Sequence, residues 1–333
     1  PDMMRELADT ITDAMPLAEG AEFSVEIDPN EIDEPRMTAL AEAGMNRASI
    51  GVQDFDDDIQ QAIGRIQGYE VTRDTVEGLR AHGIQSLNAD ILYGLPHQNQ
   101  ARIAESVQML LSLSPDRVAL YGYAHVPWMA KRQSMIPTDA LPTPEERLHL
   151  YNTARRLFLW DGYDEIGIDH FARPTDSMAV AARTGHLRRN FQGYTDDTCD
   201  VLIGLGASAI SKFPQGYAQN ASATAQYQAS VRDGQMATGR GHAFKGEDKW
   251  RGRMIEMLLC TFAIDGAEIR REFDVDAKTL SKLFRTAVDA YPGMTQATDD
   301  RFEILEKGRP LARMIARVFD GYEMRAEGHS AAF

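Results

Sequence analysis

The chain is poor in cysteine and has no long apolar run. Its 333 residues contain two cysteines, Cys199 and Cys260. Two lone thiols exclude a disulfide scaffold, and we expect both to be packing residues. So few cysteines favour a reducing compartment, which we expect to be the cytoplasm. The longest apolar run, MLLCTFAI, is too short to cross a bilayer, so we expect no membrane span.

Several catalytic and metal-binding motifs are also absent from these residues. There is no Cys-x-x-Cys, His-x-His or His-Glu-x-x-His motif, and no Gly-x-Ser-x-Gly or P-loop motif. The residues present therefore provide no metal ligands, and no nucleophile or phosphate cradle can be recognised. If the chain is an enzyme, a cofactor must supply the difficult chemistry.

Positive charge is scarce overall, but one segment is rich in it. The formal net charge is −15, which argues against nucleic acid as a partner. Residues 168–195, IDHFARPTDSMAVAARTGHLRRNFQGYT, concentrate Arg173, Arg183, Arg188, Arg189, His170 and His186 beside aromatic residues. Such a mixture suits an apolar ring system that carries carboxylates.

Within this segment, five residues are candidates for binding a substrate: Asp169, His170, Arg173, Arg188 and Gln192. The stretches DHFARP and NFQGY have low helix or strand character and are expected to be loops, where functional residues concentrate. The alternative is a solvated helix face. That alternative is equally acceptable for Arg183 and Arg189.

Strands and helices alternate through the first half of the chain. Strands are expected at 22–28, 47–53, 87–94 and 117–124, with helical patterns between them, which predicts βαβ units and a parallel sheet or barrel. One face of each strand is apolar. Glu26, Gln53 and Asp90 lie late in three strands on the opposite face, where ligands of β/α proteins bind. The alternative is that they are satisfied polar residues at strand ends.

Two domains are expected. Residues 1–245 would form a partial barrel, of which four strands are visible, with a substrate-binding extension. Residues 246–333 would form a small, mainly helical, winged-helix-like domain. A closed barrel needs about eight strands. The chain begins within a helical pattern, so we expect that a preceding segment is missing.

Seven motifs, in this order, resemble the oxygen-independent coproporphyrinogen III oxidases, also called coproporphyrinogen dehydrogenases. They are VEIDP, GVQDF, DILYGLP, YGYAHVP, GIDHFARP, RNFQGYT and GASAIS with YAQN. These are radical S-adenosylmethionine (SAM) enzymes of haem biosynthesis. The resemblance implies a partial (β/α)6 barrel, here without its first strands, and a helical C-terminal domain. The family's Cys-x3-Cys-x2-Cys motif for a [4Fe-4S] cluster would lie upstream of Pro1, so no metal ligand is expected here.

The resemblance also implies binding residues for two SAM molecules. Glu26 and Ile210 match contacts to the cluster-bound SAM. Gln53, Arg65, Asp90 and Ala124 match contacts to the second. Gly64 departs from the family's usual Asn, which would loosen the turn before Arg65.

The reaction implied is oxidative decarboxylation of two propionates of coproporphyrinogen III to vinyl groups, giving protoporphyrinogen IX. A 5′-deoxyadenosyl radical from SAM takes a hydrogen from the propionate β-carbon, and CO2 and one electron are lost. The partners would be an unidentified electron donor and acceptor, and the protein is expected to be a monomer. The alternatives are a haem-binding chaperone of the same family and a cluster-free fragment with only a structural or regulatory role. The chain alone, without cluster ligands, is expected to be inactive.

Overall fold

The computed structural model describes residues 1–128, 130–190 and 192–322. The α-helices are α1 Asp2–Ala14, α2 Glu34–Glu42, α3 Asp57–Ile63, α4 Tyr69–Ala81, α5 Gln100–Ser112, α6 Pro144–Trp160, α7 Ser177–Thr184, α8 Thr224–Arg232, α9 Asp248–Thr261, α10 Gly266–Phe273, α11 Ala277–Ala290 and α12 Ala312–Ala316. The strands are β1 Ser24–Ile27, β2 Arg47–Gln53, β3 Ser86–Tyr93, β4 Arg117–Gly122, β5 Asp164–Ile166, β6 His170–Ala172, β7 Arg188–Arg189, β8 Tyr194–Thr195, β9 Ile210–Phe213, β10 Gly216–Asn220, β11 Thr238–Ala243, β12 Ala263–Asp265, β13 Thr295–Ala297 and β14 Arg301–Ile304. Short 3-10 helices cover Lys131–Met135, Thr138–Ala140, Glu306–Leu311 and Arg317–Phe319.

The chain divides into two compact units. The first contains Pro1–Ala179, and the second begins at Val180 and continues through the described chain to residue 322. The domain boundary expected at residue 245 lies within the second unit, between β11 and α9, and stays a prediction.

A six-stranded sheet organises the first unit, in the order β1-β2-β3-β4-β6-β5. The first four strands are parallel, which confirms the predicted strand–helix alternation. The expectation of a loop at DHFARP was wrong for its middle. His170–Ala172 forms β6, which pairs antiparallel with β4 and with β5. These three residues are buried because β4 and β5 enclose them, which their own sequence does not signal.

Alternation of side chains along the strands explains the core. Residues of the predicted apolar face, including Ile50, Val52 and Ile91, are almost completely buried beneath the helices. The helices begin where the sequence places capping side chains. Asp33, Asp56 and Asn99 accept backbone hydrogen bonds at α2, α3 and α5. A capping box of Thr143 and Glu146 begins α6.

The second unit contains one sheet of order β11-β10-β9 and another of order β12-β14-β13. β13 and β14 form a hairpin. The described segment after it is mostly 3-10, with α12 in α conformation. The helices α9 and α11 bury the side chains of Trp250 and Phe284. Among the described residues, no helix is long and apolar enough to cross a membrane.

Candidate functional site

Polar side chains lie in two neighbouring rows on the inner face of the parallel strands. The register pairs Glu26 with Ser49 and Ser49 with Asn88 in one row, and Gly51 with Asp90 in the next. Paired residues of adjacent strands point to the same side of a sheet. The Asn88 amide donates to Ser49 Oγ over 3.0 Å and to Asp90 Oδ1 over 2.9 Å. The strand pattern therefore predicted the face of Glu26 and Asp90 but did not identify Asn88 as their link.

Asp90 is the acid of this face whose pKa departs most from its ordinary value. Burial raises its pKa to about 6, the Asn88 hydrogen bond opposes that rise, and the negative charge of Glu26 adds to it. The carboxyl therefore changes its charge close to neutral pH. Such a group, desolvated among few fixed partners, is typical of a binding or catalytic site.

Gln53 and Arg65 approach each other over a glycine of β2. A Cβ added to Gly51 would lie 3.0 Å from Gln53 Nε2 and 3.1 Å from Arg65 Nη2, so the missing side chain makes room for both. Gln53 itself has a φ of 69°, the left-handed region that non-glycine residues rarely adopt. Local strain of this kind concentrates at functional sites.

Contacts within the first unit fix the guanidinium of Arg65. It donates to Gly51 O over 3.1 Å and to Gln67 Oε1 over 3.2 Å, and its Nη2 lies 3.2 Å from Asp28 Oδ2. Gly64 does not loosen this turn. It caps α3 with a φ of 69°, a left-handed conformation that both Gly and Asn tolerate. Gly64 can therefore form the same helix cap as the Asn that the family usually has there.

Side chains from later segments hold the loop that carries Ala124. Gln133 donates to the Ala124 carbonyl over 3.1 Å and accepts from the Val126 N–H over 2.6 Å. Arg147 of α6 donates to the Tyr123 carbonyl over 2.9 Å. Its guanidinium occupies the space that a Cβ at Gly94 would need. Ala124 itself is exposed. No local sequence pattern signals the roles of Gln133 and Arg147, which depend on tertiary contacts.

The substrate candidates of the first unit differ in their surroundings. Asp169 and His170 are buried, and His170 Nδ1 lies 2.7 Å from Asp169 Oδ1. Arg173 donates to the Asp161 carbonyl and carboxylate over 2.8 and 2.9 Å, and its guanidinium lies 4.0 Å from the Tyr163 ring centre. The charge of Arg173 is therefore already engaged within the chain.

The remaining candidates lie in the second unit. α7 ends at Thr184, so Arg188 stands on the short strand β7 and not on a helix face. Its Nη1 donates to the carbonyls of Gly185 and Leu187. Gln192 is exposed, and Phe191 of the same motif lies outside the described residues. Ile210 begins β9 and is partly buried.

A glycine explains the backbone beside Ile210. A Cβ at Gly204 would lie within 3 Å of the Ile210 backbone, so the sequence GLGAS permits a close approach there. Asn220 donates to the carbonyls of Gly204 and Gly206 over 3.1 and 2.9 Å. The fold of this loop is therefore fixed around Ile210.

The two cysteines are not arranged to hold metal. Cys199 is exposed, and Cys260 is buried. Burial raises the pKa of the Cys260 thiol to about 12, so it is an inert packing residue at neutral pH. Within the described ranges, no group of three or more His, Cys, Asp and Glu residues is placed to bind a metal ion.

A groove of about 890 Å³ lies elsewhere in the first unit. Its walls include Asp58, His97, Arg102 and Met135, and it contains none of the predicted site residues. It adjoins Gly64, which precedes Arg65. The predicted site residues lie instead on the inner face of the sheet, which therefore stays the candidate site.

Comparison with known proteins agrees with these features. Residues 1–110 match the family model described as the radical SAM superfamily. The chain is 65% identical over 331 residues to the oxygen-independent coproporphyrinogen III oxidase of Paracoccus denitrificans, covering 99% of this chain and 73% of that protein. It is 56% identical to the protein of the same name from Cereibacter sphaeroides, covering 99% of this chain and 74% of that one. The chain thus spans about three quarters of their length.

A solved structure resembles the fold closely. It is the coproporphyrinogen III oxidase of Escherichia coli, described as a radical SAM enzyme, with a TM-score of 0.90 and 34% identity over 96% of this chain and 74% of that one. The similarity confirms the predicted radical-SAM barrel class. The chain belongs to the oxygen-independent coproporphyrinogen III oxidases of the radical SAM superfamily.

Proposed function

We propose that this protein converts coproporphyrinogen III to protoporphyrinogen IX by oxidative decarboxylation of two propionate side chains to vinyl groups. The observation that carries the proposal is the inner-face arrangement of Asp90, Glu26 and Asn88 in a chain whose relatives are named for this activity. The names of the relatives favour the oxidase over a haem-binding chaperone.

The donor and acceptor groups of the inner face fit SAM. Carboxylates such as Glu26 and Asp90 accept hydrogen bonds from ribose hydroxyls or from an ammonium group, and an arginine such as Arg65 binds a carboxylate. The gap above Gly51 lets Gln53 and Arg65 point to one place. When bound, SAM supplies a 5′-deoxyadenosyl group that takes one hydrogen atom from the propionate β-carbon. The task of the protein is to bind SAM and the substrate, to orient them, and to exclude water.

Two SAM molecules are proposed. Glu26 and Ile210 are assigned to the first, and Gln53, Arg65, Asp90 and Ala124 to the second. The clustering of Gln53, Arg65 and Gly51 supports the second site, because Arg65 and Gln67 are held at the Gly51 carbonyl without a ligand and Gln53 Nε2 lies beside the same gap. Ile210 belongs to the other unit, and its assignment depends on family resemblance.

A radical SAM enzyme also uses a [4Fe-4S] cluster, and the two cysteines of this chain do not fit that group. One cysteine is buried and inert, the other is exposed, and the cluster needs three cysteine ligands in the family motif. We therefore propose that the ligands come from outside residues 1–333, and we assign no catalytic step within this chain to the cluster.

The substrate is an apolar tetrapyrrole with four carboxylates. We propose Asp169, His170, Arg173, Arg188 and Gln192 as the residues that meet it. In the described contacts, Arg188 donates to backbone carbonyls and neither Arg188 nor Gln192 is held by a carboxylate. For Arg173 to bind a propionate, the substrate would have to replace Asp161 as its partner.

Electrons must enter and leave during turnover. Each propionate loses one hydrogen atom, CO2 and one electron, so the reaction needs an electron acceptor, and SAM cleavage needs a one-electron donor. We propose that both are external to this chain, and that the protein acts in the cytoplasm as a monomer without nucleic acid.

The test is anaerobic turnover of the protein that carries the cluster ligands, with iron and sulfide reconstitution, SAM, a low-potential reductant and coproporphyrinogen III. Protoporphyrinogen IX is the expected product, with loss of two CO2. Absence of vinyl product from a protein with a full cluster and bound SAM contradicts the proposal. Binding of haem and its transfer to an acceptor, without vinyl product, identifies the chaperone instead.

The SAM site has a separate test. Arg65→Ala should weaken SAM binding about tenfold with the fold intact, because a charge-assisted contact is lost. The matched control is Arg73→Ala, whose guanidinium binds only neighbouring carboxylates on the surface of α4 in the described contacts. Equal SAM affinity for Arg65→Ala and wild type would remove Arg65 from the site.

A further inference from the structure

A buried amide side chain, that of Gln67, contacts the guanidinium of Arg65. Gln67 lies two residues after Arg65 and is 1% exposed. Its Oε1 accepts from Arg65 Nε over 3.3 Å and from Arg65 Nη2 over 3.2 Å. Nη2 also donates to the Gly51 carbonyl over 3.1 Å. One edge of the guanidinium is therefore occupied by acceptors that belong to the chain itself.

The contacts of the Gln67 amide allow only this orientation. Its Nε2 donates to the Gly51 carbonyl over 3.0 Å and to Thr72 Oγ1 over 3.1 Å. The reverse orientation would place the NH2 group against the donors of Arg65 and the oxygen against the Gly51 carbonyl. Each polar atom of the amide has a partner of the opposite kind, so Gln67 is a fixed acceptor for Arg65.

A second buried glutamine, Gln60, fixes the backbone of Gln67. Gln60 Oε1 accepts from the Gln67 N–H over 2.8 Å. Gln60 Nε2 donates to the carbonyls of Gln67 and Asp54 over 2.6 and 2.8 Å. Asp54 directly follows Gln53, so the same amide joins the segment of Gln53 to the segment of Arg65. The position of Gln67 is therefore set by the fold and needs no ligand.

The other edge of the guanidinium is available to a ligand. Among the described residues, none accepts a hydrogen bond from Arg65 Nη1. The charged partner of Arg65 is Asp28, whose Oδ2 lies 3.2 Å from Nη2 and whose side chain is 40% exposed. Solvent weakens such an exposed ion pair. The Gln67 acceptor is neutral, so it orients the guanidinium without cancelling its charge.

We propose that Gln67 is a positioning residue for Arg65: its buried amide holds the guanidinium in the orientation in which Nη1 binds the methionyl carboxylate of SAM. The inference deepens the proposed SAM site and rests on it. Without Gln67, the arginine side chain would have to be ordered during binding, and that ordering costs affinity. Gln67 acts through Arg65 and does not itself contact SAM.

The first test needs no ligand. Hydrogen exchange of the Arg65 Nε–H is followed by nitrogen NMR of the full chain, with Arg65→Lys identifying the signal. In the wild type this proton should exchange about tenfold more slowly than in the urea-unfolded chain, because it is hydrogen-bonded to a buried oxygen. An unprotected Nε–H in the wild type overturns the proposal, whether or not any variant folds.

Two variants separate the acceptor from the shape of the side chain. Gln67→Met removes the acceptor at nearly the same length and should abolish most of this protection. Gln67→Glu keeps an oxygen acceptor in either charge state and should retain the protection. Unchanged protection in a folded Gln67→Met protein, or equal loss of protection in both variants, overturns the proposal.

The second test compares SAM with decarboxylated SAM, which lacks the carboxylate proposed to meet Arg65. Equilibrium dialysis uses the protein that carries the cluster ligands, and Arg65→Ala identifies the binding that depends on this arginine. Gln67→Met should raise the dissociation constant of SAM about 3–10-fold and leave that of decarboxylated SAM almost unchanged. Added to Arg65→Ala, it should cause no further loss. Equal weakening for both ligands, or a further loss in the double variant, indicates a purely structural role and overturns the proposal.

Gln98 provides the matched control, since it is also a buried glutamine with a fully bonded amide. It donates to Asp54 Oδ2 and the Leu92 carbonyl and accepts from the N–H groups of Gly94 and Leu95. Gln98→Met should leave the Arg65 Nε–H protected and should change the affinities for both ligands by the same factor. A selective loss of SAM affinity in this variant would overturn the specific role of Gln67. Equal wild-type affinities for the two ligands would contradict the proposed contact of Arg65 with SAM instead, while the exchange rates still decide whether Gln67 orients Arg65.

Discussion

The amide nitrogen of Asn88 lies 2.9 Å from Asp90 Oδ1 on the inner face of the sheet. Among the described residues, Asn88 is the side-chain donor to this carboxyl, whose pKa is raised by burial to about 6. Asp90 is therefore held in place but kept short of hydrogen-bond donors, which suits a group that awaits a ligand.

Asp90→Asn should make the protein more stable at neutral pH while weakening SAM binding. The pKa of Asp90 is about 6 in the folded state and near 3.8 in the unfolded chain. The folded state therefore binds more protons between these values, and the free energy of unfolding falls as pH rises through that range. Removing the carboxyl should raise the free energy of unfolding by about 1–3 kcal/mol at pH 8.

Urea denaturation of both proteins at pH 4 and pH 8 measures the effect. The gain should be present at pH 8 and much smaller at pH 4, where the wild-type carboxyl is protonated in the folded protein. A variant that is less stable than the wild type at pH 8 would show that Asp90 is a stabilising residue and not a strained one.

Gly51→Ala should weaken SAM binding without unfolding the protein. Its Cβ would meet Gln53 Nε2 at 3.0 Å and Arg65 Nη2 at 3.1 Å, so both groups must move by a few tenths of an ångström. Displacement of two binding groups should weaken affinity about 3–10-fold. Gly252→Ala makes the same change in α9, where a Cβ meets nothing within 4 Å, and should leave affinity unchanged. Equal affinities for all three proteins would exclude crowding at Gly51 as a determinant.

Asp176→Asn should lower the free energy of unfolding by about 3 kcal/mol, because the buried Arg47 and Arg117 lose the buried one of their two carboxylate partners and keep only the partly exposed Glu22. Asp176 Oδ1 lies 2.7 Å from Arg117 Nε, and Oδ2 lies 3.5 Å from Arg47 Nη2. The Nη1 of Arg47 is buried without a hydrogen-bond partner among the described residues, so Arg47 depends on its contacts with Asp176 and Glu22. The control Asp74→Asn removes an exposed ion pair of Arg73 and should cost less than about 1 kcal/mol. Similar losses by urea denaturation would contradict the account of this cluster.

Arg188→Ala should raise the KM for coproporphyrinogen III, whereas Arg183→Ala should not. Loss of one charge-assisted contact to a propionate should lower kcat/KM about tenfold or more. Arg183 lies in the last turn of α7, five positions before β7, and was equally well explained as a solvated neighbour. Steady-state kinetics of both variants separate the two. A larger loss for Arg183→Ala would reverse the assignment within this segment.

Alternation of side chains made much of the first unit predictable. Residues with clear period-two patterns, such as Ile50 against Ser49, gave the right strands, and Glu26 and Asp90 fell on the right face. The short strand at His170 was missed because three residues are too few to show a period and its burial depends on β4. β11 was missed for another reason, since all six of its residues are exposed and none alternates.

The site was predictable where a residue lies on a strand and unpredictable where contacts are distant in sequence. Asn88 reaches Ser49 across 39 positions, and Arg147 reaches Tyr123 across 24. No local pattern encodes such a pairing. Gly51 lies between Ser49 and Gln53 on the predicted polar face, which hints at a gap there. That the guanidinium of Arg65 occupies this gap is visible only in the folded chain.

The most direct test of the central claim uses coproporphyrinogen III carrying deuterium at the propionate β-carbons, in anaerobic turnover with the cluster-loaded protein and unlabelled SAM. If SAM bound at this site removes the β-hydrogen, 5′-deoxyadenosine should acquire one deuterium for each vinyl group formed, as measured by mass spectrometry. Vinyl product accompanied by unlabelled 5′-deoxyadenosine, or SAM cleavage without vinyl product, would contradict the account.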